Sequence, residues 1–412
     1  MRVLVLSSTF PNPKQPTLGV FIRERMSRVA RQAEIRVVAP IPWFPFNGRI
    51  RGDRWVGIPR VEWQDGLEVH HPPFFCVPRY HKWLDGATYA VSLLPYLRRL
   101  RREFPFDAID AHFAYPDGMA GILLGRALGL PVMITLRGSI VRLVTYPLHR
   151  PQIRYALTRA ARVLAVSRSL RDVAVSLGVP TERIRVVPNG VDVERFHPRD
   201  REAARRAVGL PVDRTIVLSV GGLNEGKGHH RVVAALPELV RRHPDLLYVV
   251  VGVDRPSDSS RPLIEREVAR TGLEGRVLLA GERPHGEIPL WLAAANVFCL
   301  ATRSEGWANV LLESLACGVP VVSTRVGGNS EIVTHPGLGT LVPANDDPAL
   351  ASALREALQR DWDRGALVAH ARAHSWDSAV TAVLEELRAM TGPGGTAGLP
   401  LAGLTREPER PC

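Results

Sequence analysis

Two glutamates stand eight positions apart in SEGWANVLLESLACGVPVV, Ser304–Val322: Glu305 and Glu313. The apolar run Val297–Leu300 before them has the composition of a buried strand, and a helix opens near Asn309 or Val310. That helix ends at Gly318, a residue suited to a left-handed C-cap. Glu305 therefore falls in the loop at the strand's carboxyl end, and Glu313 in the first turns of the helix. Both can face one ligand, with the free backbone N–H groups of residues 306–310 between them. Such a helix start attracts an anion, whereas carboxylates repel phosphate but accept hydrogen bonds from sugar hydroxyls. Hydroxyls on both sides and a phosphate in the middle describe a nucleotide sugar. The same spacing also suits a capping glutamate and a surface glutamate on an ordinary amphipathic helix.

A second segment narrows the choice. SVGGLNEGKG, Ser219–Gly228, puts a Gly-rich turn and Lys227 after another apolar run. Backbone amides and an ammonium together suit a diphosphate. The chain holds three lysines against fifty arginines, so a lysine in this loop stands out, though a plain surface turn would also accommodate it. The full P-loop pattern is missing, which argues against a nucleoside triphosphatase. AHFAYPDGMAG, Ala111–Gly121, adds His112 and Asp117. Either could touch an acceptor or a transferred sugar; a packed histidine and a helix-capping aspartate fit equally well.

These segments need a frame. Short Val/Ile/Leu runs alternate with amphipathic stretches along nearly the whole chain. Strands are predicted at Val3–Leu6, Ile35–Ala39, Val69–His71, Ala108–Ala111, Val132–Leu136, Val163–Val166 and Ile184–Val187. A second set follows at Thr215–Val220, Leu246–Val251, Val277–Ala280, Val297–Leu300, Pro320–Ser323 and Thr340–Val342. Helical patterns fall between them, among them Val20–Arg31, Leu84–Arg102, Met119–Leu128, Arg231–Arg242 and Val310–Ala316. This alternation predicts an α/β protein with parallel sheets covered on both faces. PNGVDVERFHPRD, Pro188–Asp200, interrupts the pattern, placing one domain over residues 1–190 and another over 191–390, with a last helix able to cross back to the first. Ligands of such sheets bind beyond the carboxyl ends of the strands, so the chemistry is expected between the domains. The Gly/Pro-rich tail, 391–412, cannot bury a core and is expected to be disordered.

Composition sets the outer limits. The chain has 412 residues, 45% of them hydrophobic, enough for two cores. No apolar run approaches the roughly 18 residues of a membrane span, and MRVLVLSSTF looks like a first strand rather than a signal peptide. Four cysteines without metal spacing suggest neither disulfides nor a zinc site, and point to a cytosolic protein. The net charge of +12 is uneven: residues 1–199 hold 30 Lys and Arg against 15 Asp and Glu, and the remainder 23 against 26. An anionic partner for the first half, such as a membrane surface at Arg98, Arg99, Arg101 and Arg102, would explain this; an arginine-rich genome would too. No basic-aromatic module for nucleic acid is present.

Taken together, the segments resemble the retaining glycosyltransferases of family 4. The paired glutamates of Ser304–Val322, the VPNGVD of Val187–Asp192, the loop Gly221–Gly228 and the GGxxE of Gly327–Glu331 occur in that family's order. The resemblance covers about residues 1–390. It implies the GT-B fold, two Rossmann-like doubly wound domains facing a cleft, and transfer of a hexose-type sugar from a nucleoside-diphosphate donor. A glycan or lipid-linked acceptor is implied, in cell-surface or exopolysaccharide synthesis. By resemblance Glu305 meets the transferred sugar, Glu313 holds the ribose, and Lys227 neutralises the leaving diphosphate. Backbone at Gly306, Trp307, Ala308, Asn309 and Val310 meets sugar and phosphate, Gly19 lets the first domain approach the diphosphate, and Arg283 lies where the base is held. Three positions depart from the family. Gly222 replaces a common arginine, Ala308 a glycine, and Arg137 stands where a histidine is frequent. Arg137 could serve as a second cation but not as a proton acceptor. No Asp-x-Asp metal clamp is evident among these motifs, so no metal or other cofactor is expected. Epimerases of nucleotide sugars share the fold and form the alternative; an NAD(P) oxidoreductase lacks its glycine fingerprint after the first strand.

Overall fold

A computed structural model describes residues 1–45, 55–77 and 80–392. Sixteen strands are found in them: β1 Arg2–Leu6, β2 Glu34–Val38, β3 Ile41–Trp43, β4 Val61–Gln64, β5 Leu67–His70, β6 Pro73–Phe75, β7 Ala108–His112 and β8 Val132–Leu136, then β9 Arg162–Ala165, β10 Ile184–Val186, β11 Ile216–Val220, β12 Leu247–Val251, β13 Val277–Gly281, β14 Val297–Leu300, β15 Val321–Thr324 and β16 Gly339–Val342. The first sheet runs β10-β9-β8-β7-β1-β2-β5-β4 and the second β13-β12-β11-β14-β15-β16. Every neighbouring pair is parallel except β4 with β5. Strand order reverses between β1 and β7 and between β11 and β14, which opens a crevice at the carboxyl ends in each domain.

The strands formed where buried β-branched runs predicted them. β7, β8, β12, β14 and β15 are buried at every position, which demands helices on both faces. The hairpin β4–β5 was not expected. VEWQ alternates half-buried with exposed residues, and the turn is an Asp65-Gly66 pair with φ of 48° and 80°, a conformation a two-residue hairpin needs. The short pair β3 and β6 also escaped, because both contain or begin with proline and only three residues of each engage.

The chain's last described helix, Trp376–Thr391, lies on the first sheet rather than the second. Trp376, Val380, Val383, Leu384 and Leu387 share a buried cluster with Val3, Val5, Ile22 and Met26. Arg185 pairs with Glu385 at 2.8 Å and Arg162 with Glu386 at 3.1 Å, anchoring the same helix. At its start, Gly190 packs so close to the backbone that a Cβ there would lie 2.4 Å from the Trp376 nitrogen. One glycine thus lets the connection between the domains press against the returning helix.

The basic helix behaves differently from a membrane-surface helix. Over Asp85–Glu103, Tyr89, Ala90, Leu93, Leu97 and Leu100 are buried in the core. Arg98, Arg99 and Arg102 are exposed, while Arg101 donates to the Leu128 carbonyl at 2.6 Å. The face of this helix carrying Tyr89, Ala90, Leu93 and Leu97 therefore packs into the core, while Val91 stays 74% exposed. Among the described residues no helix is long and apolar enough to cross a membrane. The tail beyond Gly392 and residues 46–54 of the aromatic, arginine-bearing segment Ile41–Trp55 lie outside the described residues.

Candidate functional site

The carboxyl ends of both sheets converge on a cavity of about 390 Å³. The second domain supplies most of its wall. Gly221, Gly222 and Lys227 come from the loop after β11, Glu282 and Arg283 follow β13, and Glu305, Trp307, Ala308, Asn309, Val310 and Glu313 follow β14, whereas Gly306 does not line the cavity. The first domain adds Thr17, Val20, Phe21 and Glu24, and the connection between domains adds Gly190 to Asp192.

Glycines hold the loop after β14 in place. A Cβ on Gly327 would lie 1.7 Å from the Glu305 carbonyl oxygen, and one on Gly328 would lie 2.6 Å from that of Gly306. Across the cleft, Gly306 faces Gly138 of the first domain, where a Cβ on Gly306 would meet the Gly138 nitrogen at 2.6 Å. Gly306 is thus required for the approach of the two domains. Glu331 of the same GGxxE segment crosses over and accepts from the Arg168 backbone N–H at 2.8 Å. The Lys227 loop is held likewise: Gly228 has φ 71° and lies against the Ala301 carbonyl, 2.1 Å from a Cβ placed there. Thr302 donates to the Gly226 carbonyl at 3.0 Å.

These restraints bring Lys227 onto Glu305, and the two form an ion pair on the cavity wall. Asn309 opens the helix Asn309–Ala316, whose first two residues line the cavity, and Glu313 lies one turn along. Glu313 is half-buried and lines the cavity. Burial, reinforced by the nearby Glu24 carboxylate and opposed by Arg195, pushes its pKa up to about 8. Burial would raise Glu24 too, but hydrogen bonds and charge from Arg28 (2.6 Å) and Arg195 (2.9 Å) hold its pKa below the ordinary glutamate value. Two carboxyls on the same wall are thus pushed in opposite directions, Glu313 upward and Glu24 downward. Arg283 lies over the Trp291 ring at 5.3 Å and keeps its edge on the cavity. Gly222 also lines the cavity, and a Cβ there would make only ordinary contacts of 3.5 Å. Trp307, Ala308 and Val310 complete the wall.

Four other candidates stand elsewhere. His112 is fully buried, with Nδ1 3.1 Å from Arg137 and Nε2 3.4 Å from Asp110, and burial lowers its pKa. Arg137 is 4% exposed and lies over Phe21 at 4.5 Å; that ring, not the guanidinium, reaches the cavity. Burial and the neighbouring Arg25 pull the Arg137 pKa well down. Asp117 accepts from the Ser8 hydroxyl at 3.0 Å and the Tyr89 hydroxyl at 3.3 Å, and burial raises its pKa to about 7. It ties down the loop after β1 instead of facing a ligand. Gly19 has φ 68° and borders the Thr9 carbonyl, 2.3 Å from a Cβ, so its conformation serves its own loop.

Sequence reasoning missed Glu24, Asn189, Asp192 and His285. Asn189 and Asp192 sit inside the VPNGVD segment and were open to notice there. Glu24 had no signal, because its partner Arg195 is 171 positions away. Among the described residues no group of three or more His, Cys, Asp or Glu could hold a metal ion.

The comparisons with known proteins agree across the chain. Residues 18–195 match the family model "Glycosyltransferase Family 4", and residues 200–374 match "Glycosyl transferases group 1". A putative teichuronic acid biosynthesis glycosyltransferase, TuaC of Bacillus subtilis, is 29% identical over 87% of this chain and 89% of its own. A D-inositol 3-phosphate glycosyltransferase of Thermobispora bispora is 31% identical over 80% of this chain and 81% of its own. Among solved structures, Anabaena HepE in complex with UDP-glucose superposes with a TM-score of 0.71 at 19% identity, covering 94% of this chain and 99% of that one.

Proposed function

The chain belongs to glycosyltransferase family 4 and is a glycosyltransferase with the GT-B fold, and from that premise we propose that it moves a hexose-type sugar from a nucleoside-diphosphate donor to a glycan or lipid-linked acceptor with retention at the anomeric carbon. The observation that carries this reading is the wall on which the Lys227–Glu305 pair, the amides of the helix start and the Glu313 carboxyl stand in sequence along one cavity.

Each group then has a task. The helix amides and Lys227 stabilise the negative charge that grows on the diphosphate as the glycosidic bond breaks; preorganised donors of this sort are the largest usual source of rate. Without a donor, Lys227 is neutralised by Glu305. An arriving diphosphate draws the ammonium away and leaves Glu305 free to face the cationic sugar ring. Glu313 accepts from the ribose hydroxyls, and Arg283 packs against the base. The wall holds the acceptor hydroxyl and the anomeric carbon in reach of one another. No cofactor beyond the donor is needed in this scheme.

The acceptor belongs on the first domain. There Trp43 and Phe75, opposite one another in β3 and β6, are 50% and 39% exposed, and Trp83 is 37% exposed. With the excess of positive charge in residues 1–199, this suits a lipid-linked or polyanionic acceptor at the inner face of the cell membrane. Sedimentation with anionic vesicles, lost at high salt, is the expected sign of that peripheral placement; equal sedimentation with neutral vesicles, or none, counts against it.

Incubation with a panel of nucleotide sugars in the absence of acceptor tests the central reading. Slow hydrolysis that releases the nucleoside diphosphate and the sugar is expected, with the anomeric configuration kept in the product first formed. An isomerised donor would support the epimerase and overturn the reading.

A further inference from the structure

Asn189, 3% exposed, joins three side chains from two domains. Its Oδ1 accepts from Arg25 Nη2 at 2.9 Å and from Arg137 Nη1 at 3.3 Å. Its Nδ2 donates to Asn309 Oδ1 at 3.0 Å. A guanidinium only donates, so the side of Asn189 that meets two of them has to be oxygen. The nitrogen therefore faces Asn309, and Asn309 has to offer its own oxygen in return. That leaves both N–H bonds of Asn309 Nδ2 without a protein partner among the described residues, on a side chain that lines the cavity at the first position of its helix. The oxygen and nitrogen of an amide are nearly alike in shape, so an isolated asparagine could present either. Here the choice is made two residues away, by arginines the cavity never touches.

We infer that Asn189 is a positioning residue, through which Arg25 and Arg137 hold Asn309 with its N–H groups toward an oxygen of the bound donor, on the diphosphate or on a sugar hydroxyl. The inference rests on the donor reading of the cavity and goes beyond it. It assigns the buried Arg137 a part in the reaction without contact with substrate. It also couples the domains, since both arginines belong to the first and Asn309 to the second.

Asn189→Asp tests this directly. The carboxylate still accepts from both arginines but has no N–H for Asn309. Asn309 then turns over, donates to the new carboxylate and shows its oxygen to the cavity. The variant is expected to melt no lower than the wild type. It should bind whichever of UDP, GDP or ADP stabilises the wild type more weakly, and lose kcat/KM roughly ten- to hundred-fold. In an Asn309→Ala background, the same exchange should change kcat/KM by less than about twofold, because Asn189 acts through Asn309. An unchanged kcat/KM in Asn189→Asp, or an undiminished further loss in the double variant, overturns the inference while leaving the donor reading intact. A wild type stabilised by none of the three nucleotides overturns the donor reading, and the inference with it.

Discussion

At the carboxyl ends of β7 and β8 the first domain gathers Asp110, His112 and Arg137 with Arg25, none more than 4% exposed. At the facing ends of β11 and β14 the second domain places Lys227 and Glu305, with side chains 29% and 13% exposed on the cavity wall. Both groups occupy the position where open α/β sheets bind ligands. They differ in what lies over them. The helix Val20–Val29 and its Phe21 ring cover the first group, so its charges answer to one another, to Asn189 and to the Val187 and Pro188 carbonyls rather than to the cavity. Nothing covers the second group except the cavity. A charged residue at the end of a parallel strand is thus not a ligand group by position alone; the next layer of side chains decides.

The sharpest test of this contrast is Asp110→Ala. Asp110 is the anion beside two buried guanidinium groups, and its pull raises the pKa of both against the effect of burial. Stripping the partner from buried charges costs about 3–5 kcal/mol. Chemical denaturation should register that loss, with the folded fraction keeping far more activity than a cavity variant keeps. A stable but inactive Asp110→Ala would place the first group in the chemistry and break the contrast.

Glu305→Ala should show the reverse pattern, with kcat falling about 10²- to 10³-fold and the melting temperature nearly unchanged. Lys227→Ala should do the same. Steady-state kinetics read both. Glu313→Ala, further from the reacting carbon, should act mainly on the donor's KM, by roughly tenfold, since lost ribose contacts weaken ground and transition states alike. The opposite split between Glu305 and Glu313 would exchange their roles.

The raised pKa of Glu313 gives a pH signature. Its carboxyl stays protonated up to about pH 8 in the folded protein, against 4.5 for an ordinary glutamate. Between those values the unfolded chain has released the proton and the folded one has kept it, so stability falls as pH rises. Glu313→Gln removes that dependence, and its stability relative to the wild type should climb from pH 5 to pH 8. Ribose hydroxyls favour the ionised acceptor, so the wild type's KM for donor should drop toward pH 8, and that of the glutamine variant should stay flat. The smallest effect is expected from EDTA, which should leave activity largely intact. Loss restored by Mg²⁺ or Mn²⁺ would show a metal that the charged groups described here do not account for.

Much of this was legible residue by residue. Runs such as Leu247–Val251 are β-branched and apolar throughout, which only a strand covered on both faces tolerates. Lys227, Glu305 and Glu313 were legible because each is anchored locally, by a glycine turn or a helix start next to a strand. The hairpin strand β4 was not, since its four residues alternate weakly and its signal lay in the Asp65-Gly66 turn. Arg137 was placed on the ligand side for a physical reason: its neighbours in sequence resemble those of a strand end open to a ligand, while the covering Phe21 is more than a hundred positions away.

By itself, then, the sequence determined most of the strands, the order of the motifs and the charged groups that line the cavity on the second domain, because periodicity, turn chemistry and capping act over a few residues. Tertiary structure alone decided which charges reach the cavity and which become scaffold. It raised the Glu313 pKa through burial and Glu24, returned the last helix to the first sheet, and set through Asn189 the face of Asn309 turned from the arginines. Burial, charge coupling and the direction of a shared hydrogen bond are properties of what surrounds a group in space, and no local stretch of chain carries them.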